Sequence, residues 1–208
     1  MIVPLPLLLF FVVTAAEGSA VDRPDYGAVL FIKETIAVSI LADDTLQVRG
    51  TYWFGATDSS MSKTRLYYPF PADTSSDYPF FIEITEASSS TAIPFVKQDQ
   101  GVLFSIAVKH GDTTSVMVLY RQKVRNREGR YILTTTQNWG RPLVDSRYSV
   151  TVPATFTLAY ISYECDSISR SGRFLVYSFF KKQFMPDRDL CFQWQANDLF
   201  EKPRSKLQ

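Results

Sequence analysis

From Ala28 onward, apolar side chains recur at every second position in short runs, and no stretch sustains a 3.6-residue period. Ile36, Val38 and Ile40 alternate with Thr35, Ala37 and Ser39. Leu46, Val48, Tyr52 and Phe54 share one parity, as do Phe80, Ile82 and Ile84. Phe156, Leu158 and Tyr160 alternate with Thr157, Ala159 and Ile161. Side chains two apart lie on one face of a strand, so each run predicts a strand with one buried and one wet face.

Turn-forming residues cut the runs apart. Ala42-Asp43-Asp44 separates the first two strands and predicts a hairpin between them. Gly55 to Thr64, the stretch after Pro71, Glu86 to Thr91, His110-Gly111-Asp112 and Cys165 to Gly172 read as loops or turns. Gly50, inside the second strand, marks a bulge or close packing. About a dozen short strands result, at the spacing of all-β folds. No fixed-period repeat occurs, which argues against a propeller or solenoid. The expected fold is all-β, an antiparallel β-sandwich in a single domain over residues 21–196. Two smaller sandwiches divided near Asn126–Gly129 are the weaker alternative.

The stretch Ser115–Leu143 reads as a long hairpin at the centre of that domain. Val116, Val118 and Tyr120 point one way, while Met117 and Leu119 point the other, so both faces of its first strand are apolar. Asn126-Arg127-Glu128-Gly129 supplies the turn, with Gly129 suited to a left-handed position, and Tyr131–Thr136 returns as the partner strand. Gly140 and Pro142 suit a sharp bend in which Trp139 covers the end of the sandwich.

The N-terminus breaks the alternation. Ile2 to Ala16 is almost wholly apolar and ends among small residues. The run is too short to span a bilayer and has the length of a signal-peptide core. A cleaved signal peptide over residues 1–20 is expected, with cleavage after Ala20 or, alternatively, Ala16. The protein is then exported, periplasmic or extracellular, with no transmembrane anchor in the mature chain. Residues 197–208 form a polar tail expected to fray. In an oxidising compartment Cys165 and Cys191, the only two cysteines, become a candidate disulfide; two buried free thiols are the alternative.

Composition narrows the chemistry. Sixteen Phe and 11 Tyr favour pleated, half-buried surfaces. A net charge of +1 provides no field to attract nucleic acid. The one histidine, His110, cannot build a multi-histidine metal site and sits in a loop. No phosphate loop, dinucleotide fingerprint, C-x-x-C or nucleophile-elbow motif is present, so no cofactor and no metal site is expected.

Three patterns remain as candidates. Arg121, Lys123, Arg125 and Arg127 alternate strictly and would form a basic stripe in an extended strand, suited to an anionic partner. Trp53, Tyr67, Tyr68, Trp139 and Trp194 are candidates for a sugar-stacking surface, although rings also fill cores. Glu34, Asp43, Asp44, Glu83, Glu86, Asp99 and Asp145 could supply paired carboxylates, but their spacing selects no pair. The expected function is an exported, non-catalytic module binding a protein or glycan partner. The alternatives are a small secreted hydrolase, glycosidase-like, using paired carboxylates, and a structural domain of a larger assembly.

Overall fold

A computed structural model describes residues 28–41, 44–57 and 61–197. The expected signal peptide, with both cleavage points, and residues 198–208 of the expected tail lie outside the described residues. Among the described residues the chain is mostly β, with thirteen strands and one short 3-10 helix.

The strands are β1 Val29–Leu41, β2 Thr45–Ala56, β3 Ser62–Pro69, β4 Phe81–Glu86, β5 Phe95–Gln98 and β6 Gly101–Val108. They continue with β7 Thr114–Lys123, β8 Glu128–Tyr131, β9 Leu143–Pro153, β10 Phe156–Ile161, β11 Ser167–Ser171, β12 Phe174–Phe184 and β13 Leu190–Ala196. Seven of them form a large sheet in the order β11-β12-β9-β1-β2-β7-β4. Two three-stranded sheets, β10-β13-β8 and β3-β6-β5, complete the fold. β1 and β2 pair antiparallel as the expected hairpin.

The large sheet is mixed, which corrects the purely antiparallel expectation. β1 and β9 pair in parallel, with Glu34 opposite Ser146 and Val38 opposite Val150. Parallel partners need a long crossover, and here β2 to β8 all intervene. Period-two patterning reveals the faces of a strand but not the direction of its neighbour.

Pairing registers put Ile36, Val38 and Ile40 of β1 on one face with Leu46 and Val48 of β2, Tyr148 and Val150 of β9, and Val118 and Tyr120 of β7. All are buried. Both small sheets pack on this face. The Tyr52 hydroxyl reaches Tyr68 on β3 and Tyr131 on β8, and the Tyr177 hydroxyl reaches Thr157 on β10. One hydrophobic cluster draws on all three sheets. Each aliphatic or Phe side chain fully buried there contributes about 1.5–3 kcal/mol.

The Ser115–Leu143 hairpin does not form. β7 pairs with β2 and β4, whereas β8 pairs with β13 in another sheet. Asn126 and Arg127 take the left-handed conformation (φ 59° and 54°) and pass the chain between sheets. Gly129 serves close packing instead: a Cβ there would lie 2.2 Å from the Phe192 ring. The expected return strand stops at Tyr131, and Thr134–Trp139 is the 3-10 helix. Its start is held by the Asp189 carboxylate, which accepts from the Leu133 and Thr134 backbone N–H groups at 3.1 and 3.2 Å. Gly140 ends it in a left-handed conformation, φ 67°. β11 falls where a polar turn is expected. It is an edge strand whose five side chains are all exposed, so no alternation marks it.

Candidate functional site

A crevice opens between the large sheet and the two small ones, and a bulge in β1 builds it. Phe31 pairs with Phe54 and Glu34 with Tyr52, but Lys33 pairs with Trp53, so Ile32 is the extra residue. The bulge brings Phe31 and Glu34 to the same inward face although they differ in parity. Both are buried, at 6% and 3% exposure. On β2, Gly50 lacks the Cβ that would stand 1.9 Å from the Tyr52 hydroxyl. The Tyr52 ring therefore lies over Gly50.

The cavity measures about 70 Å³ and is lined by Glu34, Tyr52, Tyr67, Tyr68, Tyr131 and Trp139, with Phe31, Phe54, Thr135 and Thr136 among its further walls. Three phenols form a closed set: Tyr52 to Tyr131 is 2.7 Å, Tyr52 to Tyr68 is 2.8 Å and Tyr68 to Tyr131 is 3.5 Å between hydroxyl oxygens. Burial pushes all three hydroxyls above the usual tyrosine range, so they stay neutral. Trp139 packs against Phe31 and Phe54, with ring centroids 5.6 and 5.7 Å away.

Glu34 is the carboxyl of this crevice. Its Oε1 accepts a 2.6 Å hydrogen bond from the Tyr148 hydroxyl. Burial pushes its pKa up to about 7, against the opposing pull of that bond. No lysine, arginine or histidine lines the cavity among the described residues.

The structure divides the expected aromatic platform. Tyr67, Tyr68 and Trp139 line the crevice. Trp53 faces the other side of the sheet, where the Lys33 ammonium sits 4.5 Å from its ring centroid. Trp194 is buried in the core.

Of the basic residues, Arg121, Lys123 and Arg125 alternate with the buried Gln122 and Val124, and Arg127 departs from them. Arg121 donates to the Gln47 side-chain oxygen at 2.8 Å and lies over Phe81. Lys123 ends β7 and is exposed. Arg125 pairs with Asp77 and donates to the Thr74 carbonyl at 3.1 Å. Arg127 turns onto the Phe156 ring. The left-handed residues 126 and 127 take only Arg127 off the face that Arg121, Lys123 and Arg125 share.

Cys165 and Cys191 are free thiols, so the expected disulfide is absent. Cys191 pairs with Arg130 on β8, and on its other side the Ser162 hydroxyl accepts from the Cys191 N–H at 2.9 Å. Partial burial raises both thiol pKa values, as for small hydrophobes. Of the carboxylates considered from sequence, Glu83 and Asp99 are exposed, Glu86 accepts from Ser89, and Asp145 sits 3.6 Å from Arg147. Only Glu34 faces the crevice among the described residues. No group of three or more His, Cys, Asp or Glu residues is placed to hold a metal ion among them.

These features define a β-rich protein with a tyrosine-lined crevice. No family model matches the chain, and no curated protein does. Solved structures do match its fold. A candidate nutrient-binding protein from Legionella pneumophila superposes with a TM-score of 0.63 at 14% identity, covering 81% of this chain and 67% of that one. A mutant M1 zinc metallopeptidase from Deinococcus radiodurans superposes with a TM-score of 0.50 at 15% identity, covering 80% of this chain and 42% of that one. The chain thus spans less than half the length of that peptidase. At these identities the likeness is one of fold.

Proposed function

We infer that the protein is an exported, non-catalytic β-sandwich module, periplasmic or extracellular, that binds a protein or glycan partner through the crevice beneath Trp139. The observation carrying this reading is the cavity itself. It is concave, walled by aromatic rings, and holds convergent hydroxyls and one buried carboxyl, which is the general form of a ligand site. The description of the Legionella protein as a candidate nutrient binder agrees with it. Export rests on the apolar run Ile2–Ala16. A glycosidase-like mechanism needs two carboxylates across the scissile bond, and the described crevice residues supply one.

The test is a ligand screen observed by amide chemical shifts, using peptides, glycans and small metabolites. The reading expects shifts concentrated at Glu34, Tyr68, Tyr131, Thr135 and Trp139, with the ligand recovered intact. Shifts confined to another face, or turnover of a bound ligand, would overturn it.

A further inference from the structure

Buried carboxyls in proteins are paired with cations, coordinate metals, or stay protonated. Glu34 is 3% exposed and faces a cavity. Every described element packed around it presents only neutral groups: Tyr148 and Ser146 from β9, Tyr52 from β2, Tyr68 from β3, Tyr131 from β8 and the Thr135–Thr136 turn of the 3-10 helix. Among the described residues no lysine, arginine or histidine lines the cavity beside it.

The neighbouring hydroxyls point the same way. The three phenol oxygens lie 2.7, 2.8 and 3.5 Å apart, and a cyclic order in which Tyr68 donates to Tyr131, Tyr131 to Tyr52 and Tyr52 to Tyr68 is open to them. In that order each would keep one acceptor lone pair and use its only donor. A wall of spare acceptors beside a carboxylate suits a ligand that brings several N–H donors and a positive charge. The rings of Phe31, Phe54 and Trp139 pack on one another and wall the same cavity, supplying an apolar surface for the carbons that follow the charged group.

We propose that the crevice receives a primary ammonium group, with Glu34 as its counter-charge and the Tyr52–Tyr68–Tyr131 hydroxyls as its acceptors. The proposal rests on the crevice being the binding site. A cavity of about 70 Å³ admits the ammonium and its first carbons, so the group is the tip of a larger molecule or a short alkylamine. Peptide N-termini and lysine side chains present this chemistry, as do free amines. Because an ammonium binds the ionised carboxyl, entry of the ligand releases the proton that Glu34 holds below about pH 7.

The experiment titrates the purified protein with n-propylammonium chloride, n-propanol and potassium chloride, followed by amide chemical shifts. Alanine amide and N-acetyl-lysine amide serve as arms for the two peptide sources. Propylammonium should move the crevice signals, and the two controls should not. Affinity should fall about tenfold per pH unit below pH 7, because the amine stays charged there while the carboxyl does not. Glu34→Gln should weaken binding at least about tenfold, and Tyr68→Phe severalfold. Propanol or potassium binding as tightly as the ammonium would overturn the proposal, as would a pH-independent affinity. Propanol shifts confined to the crevice would overturn only the ammonium assignment and leave the broader binding reading standing. Silence from every probe would overturn the assignment, while the ligand screen decides the broader reading separately.

Discussion

The Tyr148 hydroxyl donates a 2.6 Å hydrogen bond to Oε1 of Glu34 across the parallel junction of β1 and β9. The bond joins the feature of the fold that alternation cannot reveal to the buried carboxyl of the crevice. It also opposes desolvation, because a donor to the carboxylate favours the charged form.

Stability should carry the signature of this carboxyl. Its folded pKa of about 7 lies above the ordinary 4.5, so the native state binds the extra proton between those values. The stabilisation is fully present below about pH 4.5 and is lost as pH rises through about 7. Glu34→Gln should gain on the wild type by about 3 kcal/mol between those limits, at about 1.4 kcal/mol per pKa unit. Urea unfolding of both proteins across the range measures this, and parallel curves would contradict it.

Tyr148→Phe should raise the Glu34 midpoint further, since it removes the one opposing hydrogen bond. At high pH the variant should lose about 1.5–3 kcal/mol, the worth of a hydrogen bond to a charged group. A carboxyl carbon NMR titration reads the midpoint, and an unchanged or lower value would count against the assignment.

Gly50→Ala should be destabilising by about 1–3 kcal/mol through overpacking. The new methyl group would occupy the place of the Tyr52 hydroxyl and push it away from Tyr68 and Tyr131. Thermal unfolding gives the cost, and an unperturbed Tyr52 environment by NMR would refute the geometry.

The protein should carry two titratable thiols, and a reducing agent should leave its melting midpoint unchanged. Intact mass after alkylation under denaturing conditions decides this. A mass showing no added groups until reduction would restore the disulfide.

Much of the fold is legible as period-two alternation. The β1–β2 hairpin, the strand character of most segments and the polar separators all follow from it. The crevice is only half legible. Tyr67, Tyr68 and Trp139 stand out as aromatics, and Gly50 as a glycine inside a strand. Glu34 shares the parity of Ile36, Val38 and Ile40, so alternation puts it on the buried face, but not beside Phe31, which differs in parity and joins it only through the bulge at Ile32. β8 and the 3-10 helix are hidden for another reason. Asp189, 55 residues from Thr134 in sequence, holds the helix start through long-range hydrogen bonds. The basic alternation holds in space from Arg121 through Arg125, with Gln122 and Val124 buried between, and ends before Arg127, because positions 126 and 127 leave the extended conformation.

Centrally, Glu34 is a buried carboxyl with no lysine, arginine or histidine lining its cavity among the described residues. Its midpoint can be measured directly by carbon NMR on the glutamate-labelled protein, assigned by comparison with Glu34→Gln. The account predicts a midpoint near 7 in the free protein, falling when n-propylammonium is added. A midpoint near the ordinary 4.5, unmoved by the amine, would contradict it.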